Sequence, residues 1–150
     1  MQFFDDLQTG VIQSCDARHT VSAEEIRDFA SQWDPMPFHL DEQAASQTPV
    51  GALFASGLHT IAIGIRLSHR LMDEPVAAIA GLGWTDVRFP QPVLAGDTLS
   101  MTSELVDKRE SRSKPDRGII TALNRVYNQR GELVAEYKIS TLVLKRPAGD

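Results

Sequence analysis

Hydrophobic and polar residues alternate through the second half of the chain, which predicts β-strands. Four segments have this character, at residues 76–89, 98–109, 118–127 and 133–145. In the last segment, every second residue from Leu133 to Val143 would lie on one face of the strand. The connections between the last strands are too short for crossover helices, so we expect an antiparallel sheet. Residues 128–131, which end in glycine, predict a hairpin turn.

The first half of the chain alternates at first and then follows helical spacing. Residues 11–21 are typical of a strand or an extended arm. Ser22 and Glu25 have the spacing of a capping box, in which each side chain bonds the other residue's amide. A helix is therefore predicted over residues 23–33. It must end there because Pro35 disfavours helical geometry in the residue before it.

Two more helices are predicted before the sheet. Asp41 has the position of an N-cap for a short helix that continues to Ala45. From residue 56 to about residue 72 the pattern is helical, with apolar residues around most of the circumference, so this helix is expected to be buried. A single α+β domain over residues 1–150 follows, in which an antiparallel sheet wraps one long central helix. This is the hot-dog arrangement, and its free sheet edge favours pairing with a second copy.

Composition narrows the class of protein. The chain has 150 residues and a formal net charge of −5, which argues against nucleic acid as its main partner. No apolar run approaches the length of a membrane span, and the acidic N-terminus does not resemble a signal peptide. The lone cysteine, Cys15, excludes an intrachain disulfide and indicates a reducing compartment. We therefore expect a cytoplasmic protein without a membrane partner.

The candidate chemistry begins with Asp34 and His39, five residues apart across Pro35 and Pro37. The two prolines prevent a continuous helix and predict a stiff, irregular loop. A carboxylate and an imidazole held in this way are able to manage both protons of an addition or elimination across a double bond. The alternative is that Asp34 only caps a helix or turn and that His39 is only a polar residue on a loop.

A second candidate element is the start of the long helix, at Ser56 and Gly57. The first amides of a helix lack internal partners and lie at the positive end of its dipole. A carbonyl oxygen that gains negative charge would be stabilised there, most directly by the Gly57 amide. The alternative is that Ser56 is only an N-cap and Gly57 only relieves crowding.

Together these motifs resemble the MaoC-like dehydratases and (R)-specific enoyl-CoA hydratases. Residues 34–41 are similar to the family's D-x-N-P-x-H loop, and residues 54–57 to the start of its central helix. Residues 88–99 are similar to a sheet segment that ends in PV-x-x-GDTL, and residues 111–118 to a loop in one bacterial branch. The resemblance covers nearly the whole chain in order.

The resemblance implies a homodimer, or a higher homo-oligomer, that hydrates or dehydrates acyl thioesters in fatty acid metabolism. Asp34 and His39 would be the catalytic dyad, and Gly57 the backbone oxyanion donor. Coenzyme A would enter as part of the substrate, with no separate cofactor and no metal. Water would add to a trans-2-enoyl-CoA in a reversible syn reaction that gives an (R)-3-hydroxyacyl-CoA. Met36 stands where the family has an orienting asparagine, and we expect it to reshape the acyl pocket.

Two other functions remain open from the sequence. A hot-dog thioesterase would use the same helix amide and a carboxylate to direct water at the thioester carbon, and it would release coenzyme A. A non-catalytic subunit would bind the acyl thioester without turnover. No histidine pair has the spacing of metal ligands, and His59 is expected to be packed or to face a partner.

Overall fold

The computed structural model describes residues 1–149, and its largest element is one antiparallel sheet. The strands in chain order are β1 (Ile12–Ser14), β2 (His19–Thr20), β3 (Ala78–Arg88), β4 (Thr98–Glu110), β5 (Arg117–Tyr127) and β6 (Leu133–Leu144). Their order in the sheet is β1-β4-β5-β6-β3, and β2 also pairs with β4. Every pairing between these strands is antiparallel, which confirms the predicted sheet. The predicted hairpin joins β5 to β6, and Gly131 has the positive φ, 74°, that its turn requires.

The helices precede the sheet or pack on it. They are α1 (Ala23–Trp33), α2 (Pro37–Leu40), α3 (Glu42–Ser46) and α4 (Gly57–Ser68). The predicted start of α1 is confirmed, because the Ser22 hydroxyl accepts a hydrogen bond from the Glu25 amide at 3.1 Å. The predicted return bond from the Ser22 amide to the Glu25 carboxylate is wrong, because that carboxylate binds His19 instead. Asp41 caps α3 as predicted, accepting from the Gln43 amide.

Three predicted elements differ in the structure. Residues 11–21 form two short strands, β1 and β2, rather than one. The proline loop contains the one-turn helix α2, because Pro37 at its first position has the helical φ and no amide to satisfy. The central helix ends at Ser68 rather than near Met72, since the chain then changes to the tighter hydrogen bonds from Arg70 to Leu67 and from Leu71 to Ser68.

Helix α4 lies against the sheet and supplies much of the core. Its buried side chains, which include Ile61, Ile63 and Leu67, belong to one cluster with residues of β4, β5 and β6. Gly64 allows the close approach, because a Cβ there would collide with the Tyr137 hydroxyl. A sheet around a buried central helix confirms the predicted hot-dog fold. Within residues 1–149, the structure contains no helix with the length and apolar character of a membrane span.

Strand β3 is the last in the sheet and is exposed along its whole length. Its apolar side chains continue onto the start of α4. We call this surface the β3 face, and it consists of Leu58, Ile79, Leu82, Trp84, Val87 and Phe89, which are 40–58% exposed. An unpaired edge beside contiguous apolar side chains is typical of an interaction surface.

Candidate active site

Asp34 lies at the C-terminal end of α1. Its backbone leaves helical geometry, with φ −154° and ψ 71°, while its amide still donates to the Ala30 carbonyl at 2.9 Å. Pro35 disfavours helical geometry in the residue before it, and these angles lie outside the helical region. The backbone bond to Ala30 fixes the position of Asp34. One third of its side chain is exposed, so the carboxylate remains accessible.

His39 lies in α2 and is almost completely buried, with 4% of the residue exposed. Its Nδ1 atom is 2.7 Å from the Phe54 carbonyl oxygen. Because a carbonyl only accepts hydrogen bonds, Nδ1 carries a proton. The other ring nitrogen, Nε2, faces the Asp34 Oδ2 atom at 3.5 Å. The structure therefore brings Asp34 and His39 together, with the Nε2 atom of the imidazole turned toward the carboxylate.

Ser56 completes the hydrogen bonding of Asp34. It occupies the N-cap position of α4, as the sequence suggests, but its hydroxyl caps no amide of the helix. Instead the hydroxyl donates to Asp34 Oδ2 at 2.7 Å, and the residue is 1% exposed. A charge-assisted bond of this kind orients the carboxylate and stabilises its negative charge. No local pattern indicates this contact, because the two residues are 22 positions apart.

Gly57 is the first residue of α4, and its amide has no acceptor among residues 1–149. The amide therefore lies at the positive end of the helix dipole with its proton free for a ligand. The phenyl ring of Phe89 covers the residue. A Cβ added to Gly57 would lie 2.7 Å from the ring's ζ carbon, so a larger residue does not fit beside this ring.

Two cavities meet at Gly57. One, of about 540 Å³, is bordered by Asp34, Ser56 and apolar residues of the β3 face. The other, of about 310 Å³, is bordered by His39 and by the apolar residues Val50, Phe54, Ala55, Pro92, Val93 and Val134. Gly57 and Phe89 line both of them. Among the described residues, no lysine or arginine lines either cavity.

The side chain of Met36 is 46% exposed and lines neither cavity. Its expected effect on the acyl pocket stays a prediction. The Met36 amide donates to the Asp34 carbonyl, and the Met36 carbonyl accepts from the His39 amide. The dyad is thus oriented by Ser56, by the Phe54 carbonyl and by this turn, without a side-chain amide at position 36.

A second carboxylate–imidazole cluster lies beside the first. His59 is 3% exposed, stacks on Phe29 at 4.5 Å between ring centroids, and has Nε2 3.5 Å from Glu25 Oε1. His19 Nε2 lies 2.8 Å from the same oxygen. Burial lowers the pKa of His59 and outweighs the opposing effect of Glu25. His59 is therefore packed, one of the two alternatives predicted for it. In residues 1–149 no three His, Cys, Asp or Glu side chains are arranged to hold a metal ion.

Comparisons with known proteins identify the family of the chain. The family model described as "MaoC like domain" matches residues 8–125. An uncharacterized protein of Bacillus subtilis, YdeM, is 34% identical over 82% of this chain and 86% of its own length. The 3-hydroxyacyl-thioester dehydratase Z of Mycobacterium tuberculosis is 35% identical over 58% of this chain and 59% of its own. A crystal structure of a MaoC-like dehydratase from Rhodospirillum rubrum superimposes with a TM-score of 0.89, at 39% identity, over 98% of this chain and 99% of that one.

Proposed function

The chain belongs to the MaoC-like domain family, and on that premise we propose that it hydrates a trans-2-enoyl-CoA thioester, reversibly and in a syn sense, to an (R)-3-hydroxyacyl-CoA. One observation carries the proposal: Asp34, His39 and the free amide of Gly57 converge where two cavities meet. The name of the similar dehydratase Z supports the same class of reaction. Coenzyme A enters as part of the substrate, and the proposal needs no further cofactor.

Gly57 would hold the reacting carbonyl. The thioester oxygen accepts a hydrogen bond from the Gly57 amide, where the helix dipole stabilises the negative charge that develops as the thioester becomes enolate-like. Since Gly57 borders the cavities of both Asp34 and His39, a thioester bound there has its α and β carbons near the dyad. Such positioning is the main contribution that the backbone makes to the rate.

The dyad would move two protons in the hydration direction. Asp34, whose negative charge is stabilised by Ser56, accepts a proton from water as the water oxygen forms its bond to the β carbon. The double-bond electrons move to the α carbon and the thioester oxygen. His39 delivers its Nε2 proton to the α carbon, while Nδ1 keeps its proton on the Phe54 carbonyl. One water is consumed, and a proton passing from Asp34 to His39 restores the starting state.

A homodimer is part of the proposal. The β3 face combines a free strand edge with exposed apolar side chains, and pairing β3 with the β3 of a second copy would cover both. Leu58, Trp84, Val87 and Phe89 of this face also border the cavity of Asp34. Dimer formation would therefore enclose the substrate site. The cytoplasmic location and the single domain over residues 1–150 stay predictions from the sequence.

The test is an assay of the purified protein with a panel of trans-2-enoyl-CoA and (R)-3-hydroxyacyl-CoA thioesters. Loss of the conjugated double bond in one direction, and its appearance in the other, would support the proposal, with no release of free thiol. Thiol release without change in the double bond would identify a thioesterase instead. Binding without turnover, unchanged in the Asp34→Ala variant, would identify a non-catalytic acyl-binding subunit.

A further inference from the structure

Phe89 has an unusual place in the site. It follows β3 directly, and its ring rests on Gly57, with the ζ and ε2 carbons 2.7 and 2.8 Å from the position of a Gly57 Cβ. Although it contacts the helix start closely, 47% of the residue is exposed. The ring is therefore packed on one side only, and it covers the residue whose amide faces the reacting carbonyl.

The same ring borders both cavities. Phe89 lines both, whereas Asp34 borders only the larger cavity and His39 only the smaller. A substrate bound at the Gly57 amide would therefore lie against this ring. Phe89 forms a wall that the two cavities share.

The smaller cavity has the character of an acyl-chain pocket. Its volume of about 310 Å³ lies at the lower end of the range for small-molecule sites, roughly 300–1,000 Å³. Its lining is mostly apolar, and the polar side chains present, besides His39, are those of Thr60 and Gln91. An acyl carboxylate buried there would meet no lysine or arginine side chain among the described residues, at a high desolvation cost. The cavity thus favours a short, uncharged acyl group.

We propose that Phe89 determines the acyl specificity of this site, by closing the smaller cavity so that only short, uncharged acyl chains fit. The inference rests on the proposed hydratase function, because it names the substrate class of that same site. Truncation of the ring would join the two cavities and lengthen the space open to the chain. One methylene in an apolar pocket commonly changes discrimination by about 10-fold or more.

The experiment compares kcat/KM for crotonyl-CoA and trans-2-octenoyl-CoA in the wild type, Phe89→Ala and Phe89→Leu. The wild type should prefer crotonyl-CoA, and Phe89→Ala should shift the ratio toward octenoyl-CoA by at least about 10-fold, with a smaller shift in Phe89→Leu. Val106→Ala is the control, since it truncates a half-exposed side chain of β4 that borders neither cavity. An unchanged ratio in both folded Phe89 variants, or a wild type that turns over a dicarboxylic enoyl-CoA as fast as crotonyl-CoA, would overturn the inference.

Binding separates failure of this inference from failure of the proposed function. The saturated thioesters butyryl-CoA and octanoyl-CoA undergo no hydration, so calorimetric titration compares their affinities without turnover. A wild type that hydrates nothing would contradict the proposed function. If Phe89→Ala still shifted the affinity ratio toward octanoyl-CoA in that case, Phe89 would keep its place as the specificity determinant of an acyl-binding site. An unshifted affinity ratio would refute it.

Discussion

Two carboxylate–imidazole pairs lie along helix α1, and they are alike in their distances and burial. Asp34 and His39 lie at its end, and Glu25 and His59 near its beginning, each with 3.5 Å between Nε2 and a carboxylate oxygen. In both pairs the imidazole is buried and about one third of the carboxylate side chain is exposed. The distance between an acid and a base therefore does not set the proposed catalytic pair apart from the other pair.

The surroundings of the two pairs differ. The Phe54 carbonyl fixes the tautomer of His39, Ser56 orients Asp34, and the free amide of Gly57 lies between their cavities. In the second pair, His59 Nδ1 has no partner within the described chain, and Glu25 is already bonded to His19. Glu25 is thus an internal control for Asp34, and His59 is one for His39.

The largest effect is expected when the two carboxylates are compared. Asp34→Ala should lower kcat/KM for an enoyl-CoA by about 10³-fold, because the proposed proton acceptor is lost. Glu25→Ala should lower it by less than about 10-fold, since Glu25 borders neither of the two cavities that meet at Gly57. Steady-state kinetics on variants with native circular dichroism make the comparison. Equal losses would remove the distinction between the pairs.

A smaller loss of activity is expected on substitution of Gly57, which borders the cavities of Asp34 and His39. In Gly57→Ala the new Cβ would lie 2.7 Å from the Phe89 ring, so the ring beside the helix start must move. A displacement of about 1 Å in a site commonly costs about 10²-fold in rate, and we expect a loss in kcat/KM of that order. The double variant Gly57→Ala/Phe89→Ala should regain part of this loss, because the collision is removed. No recovery in a folded double variant would argue against the steric explanation.

Ser56 tests how the dyad is oriented. Ser56→Ala removes the hydroxyl that donates to Asp34, and we expect kcat/KM to fall by about 10-fold, as for the loss of one hydrogen bond to a charged group. Ser68→Ala is the matched control, because it removes a hydroxyl from the other end of α4 that bonds only the Ile65 carbonyl. Similar activities of the two variants would show that Ser56 does not position Asp34.

The smallest effect is a pH dependence of stability at the second pair. The pKa of His59 in the folded protein lies below its ordinary value of 6.5, because burial disfavours the charged ring. Between the lowered pKa and 6.5 the unfolded chain binds more protons, so the free energy of unfolding should decrease as pH falls through this window. Urea unfolding from pH 7.5 to pH 5.5 should show a shallower decrease in His59→Gln. The same slope in both proteins would exclude His59 as the cause.

Much of the fold could be predicted because it follows local patterns. The four long strands, the start of α1 and the cap at Asp41 all depend on residues close together in the chain. Two of the errors arose where a partner outside the predicted pattern decides the outcome. Glu25 bonds His19 rather than the Ser22 amide, and β1 and β2 separate because they pair with different parts of β4.

The candidate site shows the same division. Asp34, His39 and Gly57 were expected from their motifs, and the structure places them around adjoining cavities. Their catalytic roles stay proposals. The contacts of Ser56 and Phe89 join residues 22 and 32 positions apart, which no local pattern indicates. Likewise, sequence spacing could not show that Glu25 and His59 would form a second pair with the same separation as the dyad.

The central claim is that only the pair beside Gly57 is catalytic, and the two buried histidines test it most directly. His39→Ala and His59→Ala would be assayed for hydration of one enoyl-CoA, at a pH and temperature where both are folded. We expect His39→Ala to lose about 10³-fold in kcat/KM, whereas His59→Ala should stay within about 10-fold of the wild type. Full activity in His39→Ala, or an equal loss in both variants, would contradict this claim.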